Sequence, residues 1–232
     1  MGTDYYQEAK PLLVAVDCII FGIAGDQLRL LLFRRKVAPH RNEWSLIGSF
    51  VQEEENVQAA ANRVLEESTG LRNVFLQELG CYGTAGRDPG ARVISIAHFA
   101  LMRIEEQTEQ LADSYQARWF DADQLPKLIL DHREMVMHAL EKLRRKARYQ
   151  PIGFELLPEK FTLPQLRSLY EAIYQKELDR RNFRKKILSM DILEKLEEKD
   201  KTASKKGAFL YRFNLEKYRE LVATGFNFEL LV

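Results

Sequence analysis

Gly48-Ser49-Phe50-Val51-Gln52-Glu53-Glu54-Glu55-Asn56-Val57-Gln58-Ala59-Ala60-Ala61-Asn62-Arg63-Val64-Leu65-Glu66-Glu67-Ser68-Thr69-Gly70-Leu71 holds a strand end, an acidic turn and a helix in succession. Its first residues end a short strand-like run, 44–51, and an acidic turn at Glu53, Glu54 and Glu55 follows. From 56 to 69 the apolar residues Val57, Ala60, Ala61, Val64 and Leu65 recur at the spacing of one helical face. Gly70 stands where a glycine in the left-handed conformation ends a helix. Positions 64, 67 and 68 are i, i+3 and i+4, so they share a face. Glu55 and Arg63 are placed to form an ion pair that braces the loop.

Upstream, residues 12–23 form a continuous apolar run, Gly25-Asp26 is a turn signal, and 27–35 is a second apolar run, so the pair reads as a hairpin. Further strands are expected at 73–84, 91–104 and 115–120, with the turn-rich 86–90 between the first two. A long helix is expected from Asp131, whose spacing to Glu134 predicts a capping box, to about Tyr149. It ends in Arg144, Arg145, Lys146 and Arg148, cations that suit the negative end of a helix dipole.

Pro151 marks a boundary, because proline and the residue before it do not readily continue a helix. The expected domains are 1–150 and 151–232. The first carries 19 Lys and Arg against 21 Asp and Glu, the second 16 against 13. Beyond the boundary, 163–175 reads as a helix with Pro164 in its first turn. Asp179 is a good N-cap for a second helix, 180–190. Its residues Phe183, Ile187 and Met190 lie on one face, with Arg181 and Lys185 opposite. A strand at 192–198, a polar stretch at 199–207 and a strand at 208–213 read as a wing. A short helix at 215–223 follows.

The 48–71 stretch resembles the Nudix box: a glycine, five residues, Glu, seven residues, then Arg-Glu-apolar-x-Glu-Glu-x-Gly-apolar. Glu55, Arg63, Leu65, Glu67, Gly70 and Leu71 match it. Ser49 replaces the glycine, Val64 the first helical Glu, and Ser68 the last. In the enzymes the shared face presents three carboxylates to Mg²⁺, which binds the pyrophosphate and activates water. Here Glu67 alone remains, so the resemblance implies a domain that is not an enzyme and holds no metal or cofactor.

Beyond residue 150 the stretch Pro151-Ile152-Gly153-Phe154-Glu155-Leu156-Leu157-Pro158, with Phe161–Leu166 and Arg180–Lys185, resembles the winged helix of the Nudix-related transcriptional regulators of the NrtR and AraR type, AraR most nearly. The resemblance implies a mixed α/β fold: a Nudix α/β/α sandwich followed by a C-terminal winged helix-turn-helix. It implies a homodimer on a double-stranded DNA operator, contacted by Arg180, Arg181, Asn182, Arg184, Lys185 and Lys186 of the helix and Lys201, Lys205 and Lys206 of the wing. It also implies a small effector, a sugar such as L-arabinose, held by Trp44, Phe50, Glu67, Arg87, Asp88 and Arg92. Two alternatives stand beside it: an active hydrolase of ADP-ribose-type nucleotides, and a regulator that senses ADP-ribose instead of a sugar. Asp88-Pro89-Gly90 also reads as a plain turn, and Trp44 as core.

The composition excludes other classes. The hydrophobic fraction of 46% and charged fraction of 30% are ordinary for a globular protein. No apolar run reaches the ~18 residues that span a membrane, and the N-terminus lacks the layout of a secretion signal. Cys18 and Cys81 sit in apolar runs and are expected as core thiols in a reducing cytoplasm.

Overall fold

The structure, a computed structural model, describes residues 10–105, 108, 110, 114–202 and 206–230. Their order is β1 (Leu13–Ala24), β2 (Gln27–Arg34), β3 (Trp44–Ser45), β4 (Ile47–Phe50), α1 (Val57–Thr69), β5 (Gln77–Tyr82), β6 (Val93–Arg103), β7 (Ala117–Asp121) and α2 (His132–Tyr149). A 3₁₀ turn (Phe154–Leu156) leads to β8 (Phe161–Thr162), α3 (Leu163–Tyr174), α4 (Arg180–Ser189), β9 (Leu193–Asp200), β10 (Ala208–Phe213) and α5 (Leu215–Ala223).

Among the described residues, seven strands form one mixed sheet in the order β3-β2-β1-β6-β5, with β4 also paired to β1 and β7 to β2. The long β1–β6 pair is parallel and the other pairs are antiparallel. Alternation along β1 divides the core. Val16, Cys18 and Ile20 face α1 with Ala60, Ala61, Val64 and Leu65. Ile19, Phe21 and Ile23 face α2 with Met135, Val136 and Leu140. Helices on both faces of a sheet make the expected sandwich. The C-terminal part folds as a helix pair with a three-stranded sheet, β8-β10-β9.

The α2-side core continues without a break into the C-terminal part, through Leu143 and Ala147 to Leu166, Tyr170 and Ile173. The basic end of α2 serves this junction. Arg144 donates to the Ile173 carbonyl at 3.2 Å and to Gln175 Oε1 at 2.6 Å. Arg148 lies 3.5 Å from Glu229, and its carbonyl accepts from the Leu230 amide at 2.8 Å. These cations therefore bind partners outside their own helix, beyond the dipole role expected of them.

Three expectations need correction. The strand at 44–51 splits at Leu46, because the Leu46 amide donates to His132 Nδ1 at 3.1 Å instead of to a neighbouring strand. The capping box at Asp131 does not form; its carboxylate accepts two bonds from Arg87 instead. Cys81 is exposed on the edge strand β5, while Cys18 is buried, and burial pushes its thiol pKa far up.

Candidate functional site

The helix α1 is capped at both ends by its own sequence. Asn56 accepts from the Ala59 amide at 2.8 Å, and Gly70 takes φ 72° so that its amide reaches the Glu66 carbonyl at 2.7 Å. Within it Val64 is 1% exposed and belongs to the core. Glu67 has 62% of its side chain exposed and is bound to Arg63 at 3.1 Å. Arg63 also donates to Glu55 Oε2 at 2.9 Å and to the Phe50 carbonyl at 3.1 Å. The expected brace between Glu55 and Arg63 is thus present. Bonds from Arg63 and the Gln52 amide lower the Glu55 pKa to about 2.

A Nudix fold implies a divalent cation on this face, and these residues do not fit one. One of the three positions is apolar and buried, one is a serine, and the remaining carboxylate is engaged by an arginine. Among the described residues no group of three or more His, Cys, Asp or Glu is placed to hold a metal ion.

On the other face of the sheet, a buried polar network gathers at the N-terminus of α2. Arg87, whose side chain is 4% exposed, donates to both oxygens of Asp131 at 2.8 and 2.6 Å and lies 3.8 Å from Asp17. Ser95 donates to Asp17 at 2.5 Å. His132 accepts from the Leu46 amide on Nδ1, which places its proton on Nε2, 3.6 Å from Asp17. Burial pushes the His132 pKa down, so the ring is neutral near pH 7. Neither Asp17, Asp131 nor His132 was singled out for this site from sequence. Asp17 is the one charged residue inside the apolar run 12–23, and that burial-prone position is the available signal.

The six expected effector residues do not come together. Phe50 is 47% exposed at the end of β4, where its carbonyl meets Arg63. Glu67 lines a depression with Arg63, Arg72 and Tyr115. Trp44 is half-buried on the opposite face of the sheet, beside Arg34, Lys36 and Arg118. Arg87 is spent on Asp131. Asp88 accepts from the Gly90 amide at 2.7 Å, the bond of a plain turn. Arg92 is exposed, with long contacts to the Thr84 and Val93 carbonyls at 3.4 Å.

The basic helix is seated as its periodicity predicts. In α4, Phe183 and Ile187 are buried, and Phe183 packs on Tyr170 of α3 with ring centroids 6.0 Å apart. Asp179 caps it, accepting from the Asn182 amide at 2.7 Å. Arg180, Arg181, Asn182, Arg184 and Lys185 are exposed, Lys186 is half-buried, and none of these cations is ion-paired among the described residues. In the wing, Lys201 and Lys206 are exposed, and Lys205 lies outside the described residues. The ammonium groups of Lys195 and Lys199 stand 3.8 and 4.4 Å from the Phe209 ring. Lys195 was missed from sequence because its neighbour on the ring comes from the other strand of the wing.

A family model described as NUDIX domain matches residues 11–139, and one described as NrtR DNA-binding winged helix domain matches residues 153–213. The chain is 33% identical over 210 residues to the ADPR responsive transcriptional repressor NtrR of Acinetobacter baylyi, covering 89% of this chain and 84% of that protein. It is 37% identical over 123 residues to the ADP-ribose pyrophosphatase of Methanocaldococcus jannaschii, covering 53% and 70%. Shewanella oneidensis NrtR complexed with a 27mer DNA matches with a TM-score of 0.73 and 26% identity, over 94% of this chain and 99% of that one. The NUDIX domain of the same protein complexed with ADP ribose matches with a TM-score of 0.52 and 27% identity, over 60% and 98%.

Proposed function

Because this chain belongs to the Nudix-related, NrtR-type family of transcriptional regulators, we propose that it binds operator DNA through α4 and the wing, and that its Nudix part senses an ADP-ribose-type effector. The observation that carries the first half is α4 itself: an apolar face locked onto α3, and Arg180, Arg181, Asn182, Arg184, Lys185 and Lys186 outside that face without ion pairs among the described residues. A helix so held can enter a major groove, where arginine and asparagine read base edges and lysine neutralises phosphates. Lys201, Lys205 and Lys206 extend the same charge along the wing. Residues 1–150 would form the sensing domain and 151–232 the DNA-binding domain.

For the effector, the relatives favour ADP-ribose over L-arabinose: one is an ADPR responsive repressor, and the NUDIX domain of another is complexed with ADP ribose. The Nudix face supports sensing without hydrolysis, since Val64 and Ser68 leave Glu67 without the partners a metal needs. A homodimer on a two-fold operator is the arrangement that suits one recognition helix per chain.

Fluorescence anisotropy with duplex DNA from upstream of the gene's own operon tests both halves. Specific, salt-sensitive binding is expected. Arg181→Ala and Lys185→Ala should each weaken it and flatten the salt dependence by about one phosphate contact. ADP-ribose should change the affinity, and L-arabinose should not. Absence of a sequence-specific signal at any salt concentration would sink the DNA reading. Mg²⁺-dependent cleavage of ADP-ribose that disappears in Glu67→Gln would sink the claim of an inactive face.

A further inference from the structure

The C-terminal end of α3 is finished by a residue of another element. α3 stops at Tyr174 with no cation in its last turn, and Gln175 follows it in the left-handed region, φ 52° and ψ 42°. A non-glycine residue keeps such an angle only where its surroundings hold it. The last carbonyls of a helix also lack partners within it. Arg144 of α2 answers both needs. Its Nε donates to the Ile173 carbonyl at 3.2 Å, and its Nη2 donates to Gln175 Oε1 at 2.6 Å. A guanidinium presents these donors in one rigid plane, so the two bonds orient the turn as well as tether it.

Other cations of α2 go elsewhere. Lys142 donates to the Glu78 and Leu79 carbonyls and Lys146 to Gln77 Oε1, all on β5. Arg148 faces Glu229. Arg144 alone of these reaches the turn between α3 and α4, Gln175 to Asp179. The far end of that turn is tied back to α3, where Glu171 Oε1 accepts from the amide of the buried Leu178 at 2.9 Å. A hollow of 650 Å³ parts the same turn from the sheet end at Asp26, Asp121 and Asp123, so the sheet does not close on it there. Arg180 and Arg181 follow Asp179 directly, and a tilt at Gln175 passes to them through this short connection.

We infer that Arg144 is a positioning residue for DNA recognition: capping α3 from outside the C-terminal part, it fixes the angle at which α4 leaves the turn. The inference rests on the DNA-binding half of the function proposed above. Reading base edges requires arginine and asparagine held to about 0.5 Å of their productive geometry. Attraction to phosphates follows charge and tolerates displacement. Loss of the cap therefore costs sequence discrimination before it costs charge-driven binding. A tie that served stability alone would weaken binding to every duplex alike.

The test compares the full chain with Arg144→Met, Arg144→Lys and Gln175→Gly, by anisotropy on the operon's upstream duplex and on a scrambled duplex of equal length, and by amide hydrogen exchange. Arg144→Met should lower affinity for the upstream duplex about ten-fold and for the scrambled one by no more than about two-fold, because the cations of α4 and the wing remain. Exchange at residues 174–182 should quicken while β1 and β6 keep their rates. Arg144→Lys keeps the charge without the planar fork and should fall between. Gln175→Gly removes one acceptor and relieves the left-handed angle. It should weaken upstream-duplex binding about three-fold with no fall in thermal midpoint, which separates positioning from stability. Upstream-duplex affinity unchanged in Arg144→Met and Gln175→Gly overturns the inference and leaves the DNA reading standing. Equal losses on both duplexes also overturn it, making Arg144 a support of the fold. Wild type that does not distinguish the duplexes overturns the DNA reading, and exchange then decides the cap: quicker exchange at the turn supports it, unchanged exchange overturns it.

Discussion

Gly48 stands opposite Asp17 across the β1–β4 pair. A Cβ at that position would overlap Asp17 Oδ1 and come within 2.9 Å of the Val16 carbonyl. Glycine is therefore required by close approach to the buried Arg87–Asp131–Asp17–His132 network. Gly48→Ala is expected to cost about 1–3 kcal/mol, the usual penalty of overpacking, and the urea midpoint should fall accordingly. An unchanged midpoint would mean the network tolerates displacement. Glu55 makes a second prediction, through pH. Its folded pKa is about 2, below the ordinary 4.5, because Arg63 and the Gln52 amide favour the carboxylate. The stability it contributes is complete above pH 4.5 and is lost as pH falls towards 2. In Glu55→Gln, thermal unfolding across that window should lose part of its pH dependence; identical profiles would leave the pair energetically silent. The Glu55–Arg63 pair was legible because both ends lie within one loop and helix. The Asp17 network was not, since its members come from β1, β6, a loop and α2.

At the scale of elements, α4 depends on a residue that its own sequence supplies. Asp179 accepts from the Asn182 amide and stabilises the helix start. Asp179→Ala should lower stability by about 1 kcal/mol in thermal unfolding and weaken DNA binding with it, because the basic residues sit in the first two turns. A stability loss without any loss of affinity would show that α4 is not the contact helix. Helical periodicity made this element readable: three and four residues along one chain fall on one face whatever packs against it. The strands were less readable. The run at 44–51 is continuous in sequence, yet His132 takes the Leu46 amide and divides it into β3 on β2 and β4 on β1. The wing shows the same limit. A register shift between Phe209 and Tyr211 accompanies the placing of Lys195 and Lys199 on one ring, which alternation alone does not predict.

Over the whole molecule, α2 joins the two parts. Its first turn carries the buried network and its last turns brace the helix pair. Arg144 is the main polar tie, and burial pushes its pKa down. Arg144→Leu should leave the Ile173 carbonyl and Gln175 without their donor and cost roughly 1–3 kcal/mol. Amide hydrogen exchange at the end of α3 should rise while exchange in β1 and β6 stays unchanged. A uniform rise would instead report global destabilisation. This junction is a covalent and hydrogen-bonded link between the sheet and the helix pair.

The local order along the chain determined the helices, the caps at Gly70 and Asp179, the hairpin, the acidic turn and the loss of two carboxylates from one helical face. Those features depend on spacings of three, four or two residues, which the sequence carries directly. Tertiary structure decided which charges are spent and which are free. The basic ends of α2 and α4 look alike in sequence. Packing gives Arg144 a carbonyl and an amide oxygen, and leaves the cations of α4 without ion pairs among the described residues. Packing likewise turned Arg87 inward and gathered Arg34, Lys36 and Arg118 around Trp44. The physical reason is that a charge is satisfied by whatever cross-strand register and domain contact bring near it, and neither is written in the residue's own neighbourhood.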